Sequence, residues 1–281
     1  DKLRNLALIG HGGSGKTSLV ESMLFDTGVS SRRGRVEDGT TVSDWDDEAI
    51  RRGLSVGSSV VPCEWREVKL NLLDTPGFID FVGEVQGAVQ VADAGLVLID
   101  PVSGVEVGTE LGWAHLDERN LPRAVFINKM DRENAQFQRA LSTVRDVFGG
   151  TIVPAQLPIG EGSEFSGVVD LIAMKAYVGE AGTQQDIPAD MADAVESARM
   201  QLVEAAAEGD DELIMKYLEG EELTPEEINH GLRSGIAKGN IIPVFCGSAL
   251  SNIGIRALMD SLVEFMPSPL DSVDVIVQRP D

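Results

Sequence analysis

Residues Gly10-His11-Gly12-Gly13-Ser14-Gly15-Lys16-Thr17 fit the pattern G-x-x-x-x-G-K-[ST], a run whose composition suits phosphate. Glycines let successive backbone N–H groups turn inward around phosphate oxygens. A helix starting near Lys16 would add the positive end of its dipole. In this reading Lys16 reaches the β- and γ-phosphates, Thr17 offers its hydroxyl to Mg²⁺, and Gly10 through Ser18 form the phosphate-binding segment. His11 is one of three histidines in the chain. Its place between a strand and a helix predicts a side chain that points back into the fold, with no catalytic role.

Three further strings stand in order behind this loop. Asp74-Thr75-Pro76-Gly77 closes an apolar run from Val68. An Asp at a strand end can hold the hydration shell of Mg²⁺, and Gly77 can bring its N–H up to a γ-phosphate because it has no Cβ. Asn128-Lys129-Met130-Asp131 closes the apolar run that starts at Arg123. The Asp131 carboxylate can accept both N1–H and the 2-amino group of guanine. Adenine has no such donor pair, and a carboxylate facing it would be left unpaired. Lys129 can lay its stem along the base, and Asn128 can tie loops together. Gly247-Ser248-Ala249-Leu250 follows another apolar run, and its N–H groups are candidates for the guanine O6. Ser55, in Arg51-Arg52-Gly53-Leu54-Ser55, is either a further Mg²⁺ ligand or a solvated loop serine.

These strings need strand ends to present them. Leu6–Ile9, Val68–Asp74, Ala94–Asp100, Arg123–Asn128 and Ile241–Phe245 read as buried strands. Helices are expected after the glycine-rich loop to about Asp26, over about Gly83–Val91, and over 106–119, 134–148 and 252–266. The alternation predicts an α/β fold: the three-layer, mostly parallel sheet of P-loop NTPases. Residues 30–60 are polar and glycine-rich, a long loop of the kind that carries function. The texture changes at 150–239, where Gly167–Ile172 suggests an antiparallel piece and three helices follow. The last of these opens on Thr224-Pro225-Glu226-Glu227, a capping box with proline at the first helical position. The expected layout is a core at 1–149 and 240–266, an inserted α+β subdomain at 150–239, and a linker at 267–281 leading to further domains.

The balance of charges is acidic, with a formal net charge of −23. Such a chain repels phosphate backbones and anionic lipid, so direct sequence-specific nucleic-acid binding and membrane binding are not expected. No apolar run reaches the ~18 residues of a membrane span. Cys63 and Cys246 lie in apolar stretches and read as core thiols of a protein in a reducing compartment. The first residue is Asp1, so the start is expected to be processed or trimmed. A cytoplasmic monomer is the corresponding expectation.

With four strings in order, the chain resembles the G domain of elongation factor G-like translational GTPases. The likeness extends to Leu157-Pro158-Ile159-Gly160, Gly167–Leu171, Ile187-Pro188-Ala189 and Glu221-Glu222-Leu223-Thr224, which look like that family's insert. It implies GTP and GDP as ligands, Mg²⁺ as cofactor, and action on the ribosome through a full-length protein. Three positions depart from the pattern. Phe78 stands where the family carries the histidine that positions the attacking water, Gly13 where many members have a cation-binding Asp, and Ser55 where they have Thr. An aromatic ring can shape a pocket but cannot polarise water. The departures imply a divergent paralogue with slow intrinsic hydrolysis.

Two functions follow from these residues: a GTPase with Lys16, Gly77 and Phe78 at its reacting end, or a GTP/GDP-occupancy switch with negligible turnover. A P-loop ATPase or small-molecule kinase conflicts with Asn128–Asp131. Excess ATP is expected to leave bound, labelled GTP in place in a filter-binding competition; displacement by ATP would remove both functions.

Overall fold

The structure is a computed structural model, and it describes residues 1–271 of the 281-residue chain. Most of the linker expected at 267–281 therefore lies outside the described residues. Seven strands form the main sheet: β1 (Leu3–Ile9), β2 (Ser59–Trp65), β3 (Val68–Asp74), β4 (Ala94–Ile99), β5 (Arg123–Ile127), β6 (Thr151–Pro154) and β11 (Ile241–Cys246). Their order across the sheet is β2-β3-β1-β4-β5-β11-β6, and all pairings are parallel except β2 with β3. The helices of this part are α1 (Lys16–Asp26), the short α2 (Asp47–Arg52), α3 (Val82–Val91), α4 (Val107–Glu118), α5 (Phe137–Phe148) and α9 (Ile255–Phe265).

The apolar runs explain the interior. Strands β4, β5 and β11 are buried at every position, as expected of parallel strands covered on both faces. Helices α1 and α9 pack against one another, as do α3 and α4, to give the outer layers. Consecutive strands turn to opposite sides of β1, since β3 lies on one flank and β4 on the other. Ligands of such sheets collect outside the carboxyl ends of the strands at this switch point, and the glycine-rich loop leaves β1 there.

Strand β2 has no counterpart among the elements expected from sequence. It sits at the sheet edge, alternates exposed and buried positions, and tolerates Pro62 because an edge strand can spare an N–H. Its turn into β3 uses Arg66 and Glu67 at φ 47° and 62°, so the usual Asn-Gly signal is missing. The helix α2 is likewise an addition to the 30–60 loop. It is capped by Asp46 accepting from Glu48 N–H and closed by Gly53 at φ 64°.

The antiparallel piece is a four-stranded sheet in the order β10-β9-β8-β7, from β7 (Gln156–Ile159), β8 (Gly167–Asp170), β9 (Lys175–Val178) and β10 (Thr183–Gln185). Helices α6 (Ala192–Glu208), α7 (Asp211–Leu218) and α8 (Pro225–Ala237) follow. The capping box at α8 is formed: the Thr224 hydroxyl accepts from Glu227 N–H, and the Glu227 carboxylate accepts from Thr224 N–H at 2.7 Å. Thr151–Pro154, grouped with the insert from sequence, is instead the outer strand of the main sheet, with Thr151 opposite Ile241. Four residues between two turns carry too little periodicity to show which sheet they join.

Helix α4 lies close to the end of β1 because Gly112 has no side chain; a Cβ there would overlap Ile9 Cγ2. The replacement Gly112→Val is expected to lower stability by about 1–3 kcal/mol through overpacking, read from the urea unfolding midpoint.

Candidate functional site

All four strings meet at the carboxyl ends of the strands around a cleft of about 1080 Å³. Its walls include Gly12, Gly13, Lys16, Thr17, Ser18 and Gly77, together with Asn128, Lys129, Asp131, Ala249 and Leu250. The glycine-rich loop takes its path from Gly10, Gly13 and Gly15, all at positive φ. His11 points back as expected, its Nδ1 accepting the Gly108 N–H of α4 at 3.3 Å.

At the phosphate end, Lys16 is buried and donates to the carbonyls of Gly10 at 2.8 Å and His11 at 3.1 Å. Burial lowers its pKa to about 8, against the opposing pull of Asp74 and Asp44. Asp74 accepts from the Thr17 hydroxyl at 2.9 Å and the Ser43 hydroxyl at 2.6 Å. Burial raises it to about 6 despite these bonds and Lys16. Ser55 Oγ lies 3.3 Å from Thr17 Oγ1, so the loop serine is inside the site. Asp44 is also raised by burial, and Ser55 and Lys16 oppose the shift. Among the described residues, Asp74 Oδ1, Asp44 Oδ2, Thr41 Oγ1 and Ser14 Oγ are buried without a hydrogen-bond partner.

That chemistry fits Mg²⁺. The donors are hard oxygens, and Mg²⁺ is held by one or two carboxylates, retained water and phosphate, with no all-protein cage required. Thr17 and Ser55 could supply hydroxyl ligands, with Asp74 and Asp44 behind them on water. The orphaned carboxylate oxygens are the atoms such water would satisfy.

Gly77 lies against the glycine-rich loop, and a Cβ there would stand 2.5 Å from Lys16 Nζ and 2.6 Å from Gly12 N. The next residue, Phe78, lays its ring over Gly12: a Cβ on Gly12 would be 2.8 Å from Phe78 Cζ. Phe78 is 41% exposed, so it covers the loop without being a core residue.

At the other end, Asn128 is buried and bridges two loops. Its Nδ2 donates to the Ser14 carbonyl and its Oδ1 accepts the Ala249 N–H, each at 2.9 Å. Lys129 adopts φ 59°, unusual for a residue with a Cβ, and its Nζ donates to the Gly13 carbonyl at 2.5 Å and to Asp100 at 3.2 Å. Asp131 accepts a short hydrogen bond from the Ser251 hydroxyl. Ser248 departs from expectation. It is fully buried, and its N–H bonds the Ile253 carbonyl at 2.9 Å, so it shapes the loop and is not a wall of the cleft. An N–H engaged in a tight local bridge is unavailable to a base. The Ala249 N–H is likewise directed at Asn128, although both Ala249 and Leu250 line the cleft, which leaves the Leu250 N–H as the remaining candidate of this string.

Several site residues carried no sequence signal. Ser43 and Asp44 sit in a polar loop whose path is set from α1: both Glu21 carboxylate oxygens accept loop N–H groups, from Gly34 at 2.8 Å and Val42 at 2.5 Å. Glu21 itself is 1% exposed, yet it reads as an ordinary helix residue. Ser251, four residues beyond Gly247, carried the nearest thing to a signal, since a serine beside a strand-end loop suits a carboxylate partner.

A P-loop α/β fold with strand-end loops arranged in this way defines a nucleotide-binding G domain. The profile of the family described as Elongation factor Tu GTP binding domain matches residues 1–268, and the chain belongs to that family of translational GTPase G domains. A crystal structure of a protein from Thermus thermophilus superposes with a TM-score of 0.90 at 39% sequence identity, over 95% of this chain and 41% of that one. The chain thus spans less than half the length of that solved structure.

Replacing Asn128 with Ala would leave the Ser14 carbonyl and the Ala249 N–H without their buried partner. Stability is expected to fall by about 1–3 kcal/mol per orphaned group, measured by urea unfolding without nucleotide.

Proposed function

We propose that the cleft binds GTP and GDP with Mg²⁺ and that the chain is the G domain of an elongation factor G-like protein, a paralogue that hydrolyses GTP slowly by itself. The observation that carries this reading is the Asn128 bridge, which sets Asp131 and the 249–250 loop at one end of a cleft whose other end is the glycine-rich loop. Asp131 would accept the N1–H and 2-amino group of guanine, as only guanine offers both. Gly10–Ser18 would wrap the phosphates. Lys16, whose ammonium is disfavoured by burial, would be stabilised in its charged form beside phosphate oxygens. Mg²⁺ would supply charge neutralisation between phosphate oxygens, held by Thr17, Ser55 and, through water, Asp74.

Loss of the γ-phosphate would remove the partner of Gly77 and free the segments around 30–60 and 74–78, the order–disorder change of such switches. The proposed layout keeps a core at 1–149 and 240–266, an insert at 150–239 and an exit segment from 267, with β6 reassigned to the sheet of the core. A longer protein would carry this domain to the ribosome as a cytoplasmic monomer. Among the described residues no helix is long and apolar enough to cross a membrane.

Phe78 supports the second reading, an occupancy switch with negligible hydrolysis, because its ring covers Gly12 and has no group to orient water. Single-turnover phosphate release with and without ribosomes separates the two; no release in either case leaves the switch alone. In the same assay Phe78→His is expected to raise the rate by on the order of 10²-fold, the lower end for a positioned general base. An unchanged rate would remove residue 78 from the mechanism.

A further inference from the structure

The base end of the cleft has one wall that none of the four strings supplies. Arg33 lies beyond α1, at the entry to the 30–60 loop, and lines the cleft beside Phe25 and Leu250. Its guanidinium is held from three sides. Nη1 donates to the Leu250 carbonyl at 2.7 Å. Nη2 faces Glu180 Oε1 at 3.1 Å. The guanidinium carbon stands 5.7 Å from the centre of the Phe25 ring, within cation–π range. Leu250 belongs to the loop joined to Asn128, whereas Glu180 belongs to the turn between β9 and β10 of the insert. One side chain therefore touches the cleft, the base loop and the inserted sheet.

The turn that carries Glu180 is itself seated. Gly179 and Gly182 give it its shape at φ 71° and 61°. Arg256 of α9 donates to the Ala181 carbonyl at 3.1 Å and to the buried Asp26 at 2.9 Å, and Asp26 also accepts from Asn252 at 3.1 Å. The position of Glu180 is thus referred back to the end of α1, the helix that starts at Lys16. A guanidinium suits this place: it is planar, always charged, weakly hydrated and able to stack on aromatic faces. A free arginine would lose side-chain entropy on settling against a base, and an acidic partner outside the cleft removes part of that cost in advance.

We propose that Arg33 retains the nucleotide base in the cleft and that Glu180 holds Arg33 in place, so that the hairpin turn of the insert sets the lifetime of the bound nucleotide. The inference rests on the guanine-nucleotide reading above. Arg33 and the 249–250 loop stand side by side on this wall. The loop is tied to Asn128, so Arg33 is the easier of the two to displace, and Glu180 resists it. Displacement of the turn frees Arg33 and speeds exchange.

The test is dissociation of the fluorescent nucleotide mant-GDP, chased with excess GDP in stopped flow, with urea unfolding of each variant in parallel. Arg33→Ala is expected to raise the dissociation rate about tenfold, the loss of one charged hydrogen bond at the wall. Glu180→Gln is expected to raise it about two- to fivefold, the range of a partly exposed ion pair. Added to Arg33→Ala, it should have no further effect, and the unfolding midpoints without nucleotide should fall by no more than the loss of a partly exposed ion pair produces. A wild-type rate in Arg33→Ala overturns the wall. Full additivity of the two substitutions overturns the linkage to the insert. Failure of the wild-type protein to bind mant-GDP overturns the guanine-nucleotide reading, and this inference falls with it.

Discussion

One buried carboxamide holds the site together. Asn128 leaves β5 and satisfies a carbonyl of the glycine-rich loop and an N–H of the loop after β11. Those loops are more than a hundred residues apart in sequence on either side of it, and only the sheet order brings their strand ends close. Both bonds are buried, so neither loop can move without exposing an unpaired group to an apolar interior. The left-handed backbone at Lys129 follows from the same constraint. The chain must turn sharply after Asn128 so that Lys129 and Asp131 reach the cleft, and a residue other than glycine is held there by its contacts to Gly13 and Asp100.

The phosphate end is built on the opposite principle, a deficit of compensation. Asp74, Asp44 and Lys16 are withdrawn from water together, and burial pushes each toward its neutral form. The hydroxyls of Thr17, Ser43 and Ser55 meet part of the demand, and several oxygens are left over. A site of this kind suits a multivalent anion and a divalent cation, which would satisfy the charges and oxygens that burial leaves under-compensated. The rest of the fold carries the cost, through strands buried along their full length and helices packed on both faces.

The loop after α1 gains its order from outside itself. Residues 34–42 have no apolar periodicity, yet two backbone groups of this stretch are pinned by Glu21 of α1. A carboxylate accepting two N–H groups is strong and directional, which places Ser43 and Asp44 at the phosphate end. The inserted sheet meets the lining of the other end at one remove, through its β9–β10 turn, where Glu180 pairs with Arg33. Among the described residues the cleft is therefore bordered by the core alone, and the insert touches it only through Arg33.

Sequence alone marked the candidate site and most of the frame. Gly10–Thr17, Asp74–Gly77 and Asn128–Asp131 each need particular residue types at fixed spacing, and the apolar runs before them are long enough to be read as strands. The capping box at Thr224 and the antiparallel piece after Gly167 were legible for the same reason: their signals are local. What tertiary structure decided is everything set by contacts between distant residues. It made β2 a strand, because edge pairing with β3 outweighed Pro62 and an unconventional turn. It put β6 in the main sheet by pairing it with β11. It turned Ser248 inward and laid Phe78 on Gly12. It brought Ser43, Asp44 and Arg33 to the site from a loop with no pattern of its own, and gave Glu21 and Ser251 partners that their own segments do not announce. Hydrogen bonds and burial between such segments depend on where the chain returns, and no periodicity within either segment encodes that return.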